Sequence, residues 1–172
     1  MRLQKYLKEK LDELEQIVLA LGEKRKNMFV NWLPRHNSFL KNEATYDYSK
    51  HIVYKRGMVI HVDFGFRVGA EYGGLHWVVV IQNDAKSART LVIVPLSSLK
   101  EGEKTHRNDA FLGVIEKLNE NEAEALLGQI TTISKMRIKP GPIYNLTNDQ
   151  LDEIDRKIIE RYVSPTMKRK LM

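Results

Sequence analysis

Three segments of the chain carry side chains that could act together on a phosphodiester. Glu71 lies in a glycine-rich run at residues 69–74, His76 follows that run, and Ser97 stands near the end of a later apolar stretch. A carboxylate can act as a base, an imidazole as a base, an acid or a cation, and a hydroxyl as a donor to a phosphate oxygen. We predict that Glu71, His76 and Ser97 are catalytic and meet at one cleft.

Each of these side chains also has a structural explanation. Glu71 is compatible with a solvated loop, His76 with a packed position, and Ser97 with a turn or a strand end. The residue types alone leave these alternatives open.

A second group of residues is suited to binding a nucleic acid near such a cleft. Aromatic rings can stack on unpaired bases, and cations and hydroxyls can bind phosphates. The candidates are Arg56, Tyr72, Trp77, Ser98, Lys135 and Arg137. The histidines lack the spacing of a metal site, so we expect no metal and no other cofactor.

Composition sets broad limits on the function. The chain has 172 residues, a net charge of +6 and no cysteine. The basic excess permits a nucleic-acid partner without requiring one. The absence of cysteine excludes a disulfide scaffold and fits a reducing cytoplasm. No apolar run approaches the ~18 residues of a membrane span, and no secretory signal is visible, so we expect a cytoplasmic protein without a membrane partner.

The first fifty residues are predicted to be helical. Five apolar residues repeat at steps of four and three, which places them on one helical stripe: Leu7, Leu11, Leu14, Val18 and Leu21. A second helix is predicted over residues 24–33, ending before Pro34 because the residue preceding a proline disfavours helical geometry. The first helix either packs on the core of the protein or pairs with a partner, and residues 3–21 could also serve as a scaffold.

After residue 53 the apolar period changes from helical to strand-like. Strands are predicted at 58–64, 77–81, 91–94 (ending at Pro95), 110–115 and 129–134. Two capping boxes, at Asn119 and Thr147, predict a short helix through Leu127 and a longer C-terminal helix. These elements predict an α+β fold, a small antiparallel barrel with helices. We divide the chain into an N-terminal helical extension and linker (1–50) and a barrel domain (51–172).

The order of these residues resembles the PemK/MazF family of toxins. The similar segments are Arg56-Gly57, Val62-Asp63-Phe64, the run at 69–74, residues 78–83, residues 94–98 and residues 128–137. The resemblance implies an SH3-like antiparallel barrel with a C-terminal helix, and a homodimer. It also implies a toxin of a toxin–antitoxin pair that cleaves single-stranded mRNA without a metal, by attack of the 2′-hydroxyl on the adjacent phosphate. The implied partners are RNA and a cognate antitoxin.

The family's active-site residues transfer to this chain position by position. The family glutamate matches Glu71, the family threonine or serine falls on Ser97, and a family glutamine matches Gln129, which adds Gln129 to the RNA-binding candidates. Two family arginines are replaced, by His76 and by Thr131. An active endoribonuclease is the first hypothesis. The alternative is a barrel that has lost catalysis and acts as a dimeric module binding a partner or nucleic acid.

Overall fold

A curled antiparallel sheet is the largest element of the structure, a computed structural model that describes residues 2–118 and 120–171. Within these residues seven strands are present: β1 Met58–Asp63, β2 Leu75–Val80, β3 Thr90–Ser98, β4 Ala110–Val114, β5 Glu122–Ala125, β6 Thr131–Ser134 and β7 Tyr144–Asn145. The described helices are α1 Arg2–Ala20, α2 Glu23–Asn42, α3 Asn148–Tyr162 and α4 Pro165–Leu171. The α+β class and the small antiparallel barrel are confirmed.

The curl of the sheet comes from β3, which pairs with three strands. The strand order is β4-β5-β3-β2-β1-β7, and β6 also pairs with β3. The first half of β3 pairs with β6 up to Ile93, and its last residues pair with β5 from Leu96 onwards. The predicted end of this strand at Pro95 is wrong. Pro95 lies where the pairing changes from β6 to β5, a position that tolerates the missing N–H.

Both faces of the central strands are buried. In β1, Val59 contributes to a cluster that includes Ile154 of α3, while the next residue, Ile60, contributes to a second cluster on the other side. A strand buried on both faces needs apolar residues at nearly every position, which explains the continuous valine-rich run of β2. The 58–63 and 75–80 strands therefore form a rigid support for the loop between them.

The predicted helix ending at Leu127 is wrong. Glu122–Ala125 is strand β5, which pairs with both β3 and β4. Ala123 and Ala125 are buried while Glu122 is exposed, an alternation with the strand period of two. Tertiary pairing on both edges outweighs the helix propensity of Glu and Ala. Asn119, the predicted cap, lies outside the described residues.

The C-terminal helix is confirmed with its predicted cap. The Thr147 hydroxyl accepts from the Gln150 backbone N–H at 3.3 Å, and the Gln150 side chain accepts from the Thr147 N–H at 2.9 Å. Ile154 is fully buried, and Leu151 and Ile158 pack on the same cluster. The helix is thus fixed on the core by the apolar face that its sequence predicts.

The N-terminal residues form a separate compact unit, Met1–Thr45, and the second unit is Tyr46–Met172. The predicted end of the second helix before Pro34 is wrong, because α2 continues to Asn42 with Pro34 inside it. The rings of Trp32 and His36 contact each other across this point at 4.5 Å, and those of Phe29 and Trp32 contact each other just before it at 5.9 Å. These contacts help to offset the ~3 kcal/mol cost of an internal proline. None of the described helices is long and apolar enough to cross a membrane.

Candidate functional site

The β1–β2 loop, residues 64–74, is closed by backbone hydrogen bonds at its base. The Phe64 N–H donates to the Gly74 carbonyl at 2.8 Å, and the Gly74 N–H donates to the Gly65 carbonyl at 2.9 Å. Gly74 has a φ of 91°, a conformation that favours glycine. At Gly73 a Cβ would lie only 3.0 Å from the Gly65 carbonyl and 3.2 Å from the Arg67 side chain. The glycines of this motif therefore allow the loop to fold tightly on itself.

A cleft of about 180 Å³ lies between this loop and the start of β6. Its lining residues are Phe64, Arg67, Glu71, Tyr72, Gln129, Ile130 and Thr131. Glu71 is exposed, and its carboxylate accepts a long hydrogen bond of 3.4 Å from the Val68 N–H. The structure thus brings together three predicted site residues, Glu71, Tyr72 and Gln129.

Gln129 fixes the loop rather than projecting freely into the cleft. Its side-chain oxygen accepts from the Tyr72 backbone N–H at 3.2 Å, and its side-chain nitrogen donates to the Ala70 carbonyl at 3.3 Å. Gln129 lies in a 3-10 turn, Leu127–Gln129, immediately before β6. One amide therefore holds the backbone on both sides of Glu71.

Tyr72 connects the cleft to the end of β3. Its hydroxyl donates to the Leu96 carbonyl at 3.1 Å. Burial raises the pKa of Tyr72, a hydrogen bond with the Ser97 side chain lowers it, and the negative charge of Glu124 raises it. Ser97 therefore lies at the hydroxyl end of Tyr72. Ser98, the next residue, is exposed and pairs with Ala123 of β5.

His76 lies behind Tyr72. The two rings are 4.1 Å apart, and the His76 Nε2 donates to the Gly73 carbonyl at 2.8 Å. Burial lowers the pKa of His76, the bond to Gly73 raises it, and the nearby His61 lowers it. The net direction is downward from 6.5, so the imidazole is neutral at pH 7. Among the described residues that line the cleft, neither His76 nor Ser97 is present.

The cleft contains a cation that the sequence analysis missed. Arg67 lines it, and its Nε donates to the Phe64 carbonyl at 3.1 Å. Arg137 donates to the same carbonyl at 3.2 Å and to the Asp63 carbonyl at 3.0 Å. Burial lowers the pKa of Arg137, the positive charge of Arg67 lowers it further, and Asp63 raises it. The only sequence signal for Arg67 was its place in the same loop as Glu71.

Two predicted RNA-binding residues, Arg56 and Trp77, lie away from the cleft. Arg56 precedes β1, at the opposite end of the β1–β2 pair from the loop, and its guanidinium contacts the Ile81 carbonyl and Asp155 of α3. Trp77 stacks on His61 at 4.8 Å and alternates with His76 along β2, so it faces the other side of the sheet.

The prediction that Lys135 binds RNA is corrected by its burial. Its side chain is 1% exposed and forms an ion pair of 2.8 Å with Asp84, which is fully buried. Asp84 also accepts from the Tyr54 backbone N–H at 3.0 Å. A lysine enclosed in this way cannot reach a phosphate in solution, so its role is structural.

No three His, Asp or Glu side chains within residues 2–118 and 120–171 are grouped closely enough to hold a metal ion. The residues with polar side chains that line the cleft are instead Arg67, Glu71, Tyr72, Gln129 and Thr131. These groups can accept a proton and bind an anion.

Comparison with known proteins gives a consistent assignment. Residues 55–161 match the family model described as PemK-like, MazF-like toxin of type II toxin–antitoxin system. No curated protein sequence matches the chain significantly. A crystal structure of MazF (Form-I) from Deinococcus radiodurans is similar with a TM-score of 0.53 and 16% identity, covering 64% of this chain and 96% of that one.

Two complexes are similar with lower TM-scores. An endoribonuclease in complex with its cognate antitoxin from Mycobacterial species has a TM-score of 0.45 and 16% identity, covering 64% of this chain and 93% of that one. MazE-MazF (Form-II) from Deinococcus radiodurans has the same TM-score and identity, with 64% and 95% covered.

Proposed function

Because the chain belongs to the PemK-like, MazF-like toxin family of type II toxin–antitoxin systems, we propose that it is an endoribonuclease that cleaves single-stranded RNA without a metal. The observation that carries this proposal is the cleft in which Glu71 and Arg67 lie together. A base and a phosphate-binding cation are the two groups that cleavage by an internal 2′-hydroxyl needs most.

The proposed step is an attack within the RNA strand. Glu71 takes the proton of the 2′-hydroxyl, the 2′ oxygen forms a bond to the adjacent phosphorus, and the bond from phosphorus to the 5′ oxygen breaks. Water in the open cleft protonates the leaving 5′ oxygen. The products are a 2′,3′-cyclic phosphate and a 5′-hydroxyl, and no redox partner or metal takes part.

His76, Gln129 and Ser97 act in this proposal by positioning. His76 supports the ring of Tyr72 and holds Gly73, Gln129 holds the loop backbone, and Ser97 bonds to the Tyr72 hydroxyl. Tyr72 lines the cleft and offers its exposed ring area to a base, since stacking on an aromatic ring contributes ~1–3 kcal/mol per base.

The experiment is incubation of the purified protein with a long single-stranded RNA in EDTA, followed by mapping of the new ends. Cyclic phosphate and 5′-hydroxyl ends are expected. Glu71→Gln is expected to lower the rate by about 100- to 10,000-fold, the usual contribution of a general base. Glu101→Gln, on an exposed loop, is the matched control. No cleavage, or cleavage that Glu71→Gln leaves unchanged, contradicts the proposal.

Membership of the family extends the proposal to partners and location. We expect a cytoplasmic homodimer that a cognate antitoxin inhibits. Expression without the antitoxin is expected to stop growth and fragment RNA. Light scattering of the purified protein measures the oligomeric state directly.

A second candidate function is supported by the two replaced arginines. His76 is neutral at pH 7, and Thr131 carries no charge, so neither restores the positive charge at those positions. If Arg67 does not supply the missing positive charge, the protein is a dimeric barrel that binds RNA or a partner without cleaving RNA. Binding of RNA with unchanged RNA length after prolonged incubation would identify this second function.

A further inference from the structure

We propose that Arg67 contacts the scissile phosphodiester, with the half-buried Arg137 as its electrostatic support. This inference rests on the proposed endoribonuclease function and deepens it, because it names the group that binds the reacting phosphate. It assigns the phosphate-binding role to an arginine of the β1–β2 loop, because the two family arginines are replaced here by His76 and Thr131.

Two guanidinium groups converge on one backbone carbonyl beside the cleft. Arg67 and Arg137 donate to one carbonyl oxygen, that of Phe64, at 3.1 and 3.2 Å. The bond from the Arg67 Nε fixes the orientation of its planar group, and the side chain lines the cleft. A guanidinium with a fixed plane is suited to bidentate binding of a phosphate.

The charges around Arg67 favour a bound anion. Arg67 and Arg137 are like charges held close together, and Arg137 is half-buried. Asp63 offsets part of this charge from the buried side, and Glu71 lies on the exposed side of the cleft. When Glu71 takes the proton of the 2′-hydroxyl it becomes neutral. The positive charge then remains next to the phosphate at the moment when negative charge develops there.

The β1–β2 loop is shaped around Arg67. A Cβ at residue 73 would lie 3.2 Å from both the Cβ and the Cγ of Arg67. Gly73 therefore leaves the space that the arginine stem occupies. The His76 bond to the Gly73 carbonyl holds that glycine in place. The arginine is thus preorganised by the same contacts that position Tyr72.

The bound phosphate lies next to the proposed base, because Arg67 and Glu71 line the same cleft of about 180 Å³. Glu71 therefore reaches the 2′-hydroxyl adjacent to the phosphate that Arg67 binds.

The test compares Arg67→Gln and Arg67→Lys with the parent protein. The control is Arg156→Gln, which removes an exposed arginine of α3 that pairs with Glu153 and Glu160. Cleavage is measured on a single-stranded RNA that contains a site mapped with the parent. Binding is measured at several salt concentrations on a 2′-O-methylated RNA, which lacks the nucleophile.

We expect Arg67→Gln to lower kcat about 100- to 1000-fold, as the loss of one oxyanion donor does. For this variant, the slope of log K (the RNA-binding constant) against log salt concentration should become less negative by about 0.7. That is the value for one lost phosphate contact on a single strand. Arg67→Lys should restore the slope and only part of kcat, because lysine keeps the charge without the fork. Arg156→Gln should match the parent.

Three outcomes would overturn the inference. The first is a parent-like kcat and salt slope in Arg67→Gln. The second is a raised KM with unchanged kcat, which would place Arg67 on a flanking phosphate. The third, decisive if Arg67→Gln does not fold, is an unchanged kcat in Arg67→Lys. A parent that cleaves no RNA contradicts the proposed function instead. The salt slopes then still test whether Arg67 binds a phosphate.

Discussion

The imidazole of His76 packs against the phenol ring of Tyr72, with ring centroids 4.1 Å apart, while its Nε2 donates to the Gly73 carbonyl. His76 thus holds two consecutive residues of the loop that carries Glu71. Gln129 holds the Tyr72 backbone from the other side. A cleft supported from two elements in this way is preorganised for binding, and its neutral histidine contributes through geometry.

Replacement of His76 should separate its hydrogen bond from its ring contact. His76→Gln keeps a side-chain N–H at about the distance of Nε2, whereas His76→Ala removes both the donor and the ring contact with Tyr72. We expect His76→Ala to lower the free energy of unfolding by about 1 kcal/mol, because a half-buried carbonyl loses its partner. His76→Gln should retain more stability and more RNA cleavage. Urea unfolding and cleavage assays measure both, and a larger loss in the Gln variant than in the Ala variant would refute the positioning role.

Stability should decrease as the pH falls below 6.5. The pKa of His76 is lowered in the folded protein, mainly by burial, and the pKa of His51 is lowered by burial and by Lys135 and Lys86. The unfolded chain therefore binds more protons than the folded one between the lowered pKa values and 6.5. The free energy of unfolding rises with pH through that window and levels off above 6.5.

Urea unfolding between pH 5 and 7.5 measures this dependence. His76→Asn and His51→Asn should each reduce the slope, and together more than either alone. His106→Asn, on an exposed loop, is the control. A parent whose stability is constant from pH 7.5 to 5 would contradict the assignment.

Loss of one partner of the buried Lys135–Asp84 ion pair should destabilise the protein more than loss of both. Lys135→Met leaves the Asp84 carboxylate uncompensated, and a broken buried pair costs about 3–5 kcal/mol of stability. The double variant Lys135→Met/Asp84→Leu should be more stable than Lys135→Met alone. Chemical denaturation measures both variants. If the Lys135→Met variant has parental stability but binds RNA more weakly, Lys135 belongs to the RNA-binding site instead.

Gly73→Ala should reduce cleavage by displacing Arg67. The added Cβ would lie 3.0 Å from the Gly65 carbonyl and 3.2 Å from the Arg67 stem, so the loop must shift. Overpacking of this kind typically costs about 1–3 kcal/mol. Gly141→Ala is the matched control, because no atom lies within 4 Å of the Cβ it would gain. Thermal unfolding and cleavage rates measure the two variants, and equal effects at both glycines would argue against a shaped site for Arg67.

Local patterns in the sequence were sufficient for much of the fold. The first predicted strand, the valine run of β2 and the capping box of Thr147 each depend on near neighbours in the chain, and each is confirmed. The Gly-rich motif likewise led to Glu71 and Tyr72, since the glycines and the carboxylate belong to one loop. Short-range geometry is encoded in short-range sequence, so these elements could be predicted without a structure.

Contacts between distant residues decided the rest. Pairing with β3 and β4 is what makes the 122–125 segment a strand. The folding of the chain is what buries Lys135 beside Asp84. Arg67 and Arg137 are 70 positions apart in the chain, yet they meet at one carbonyl because residues 137–139 return alongside β1. The chemical types in the cleft follow from the sequence. Which cation lines the cleft with Glu71 follows from the folded backbone, because the curl of the sheet determines which side chains lie close together.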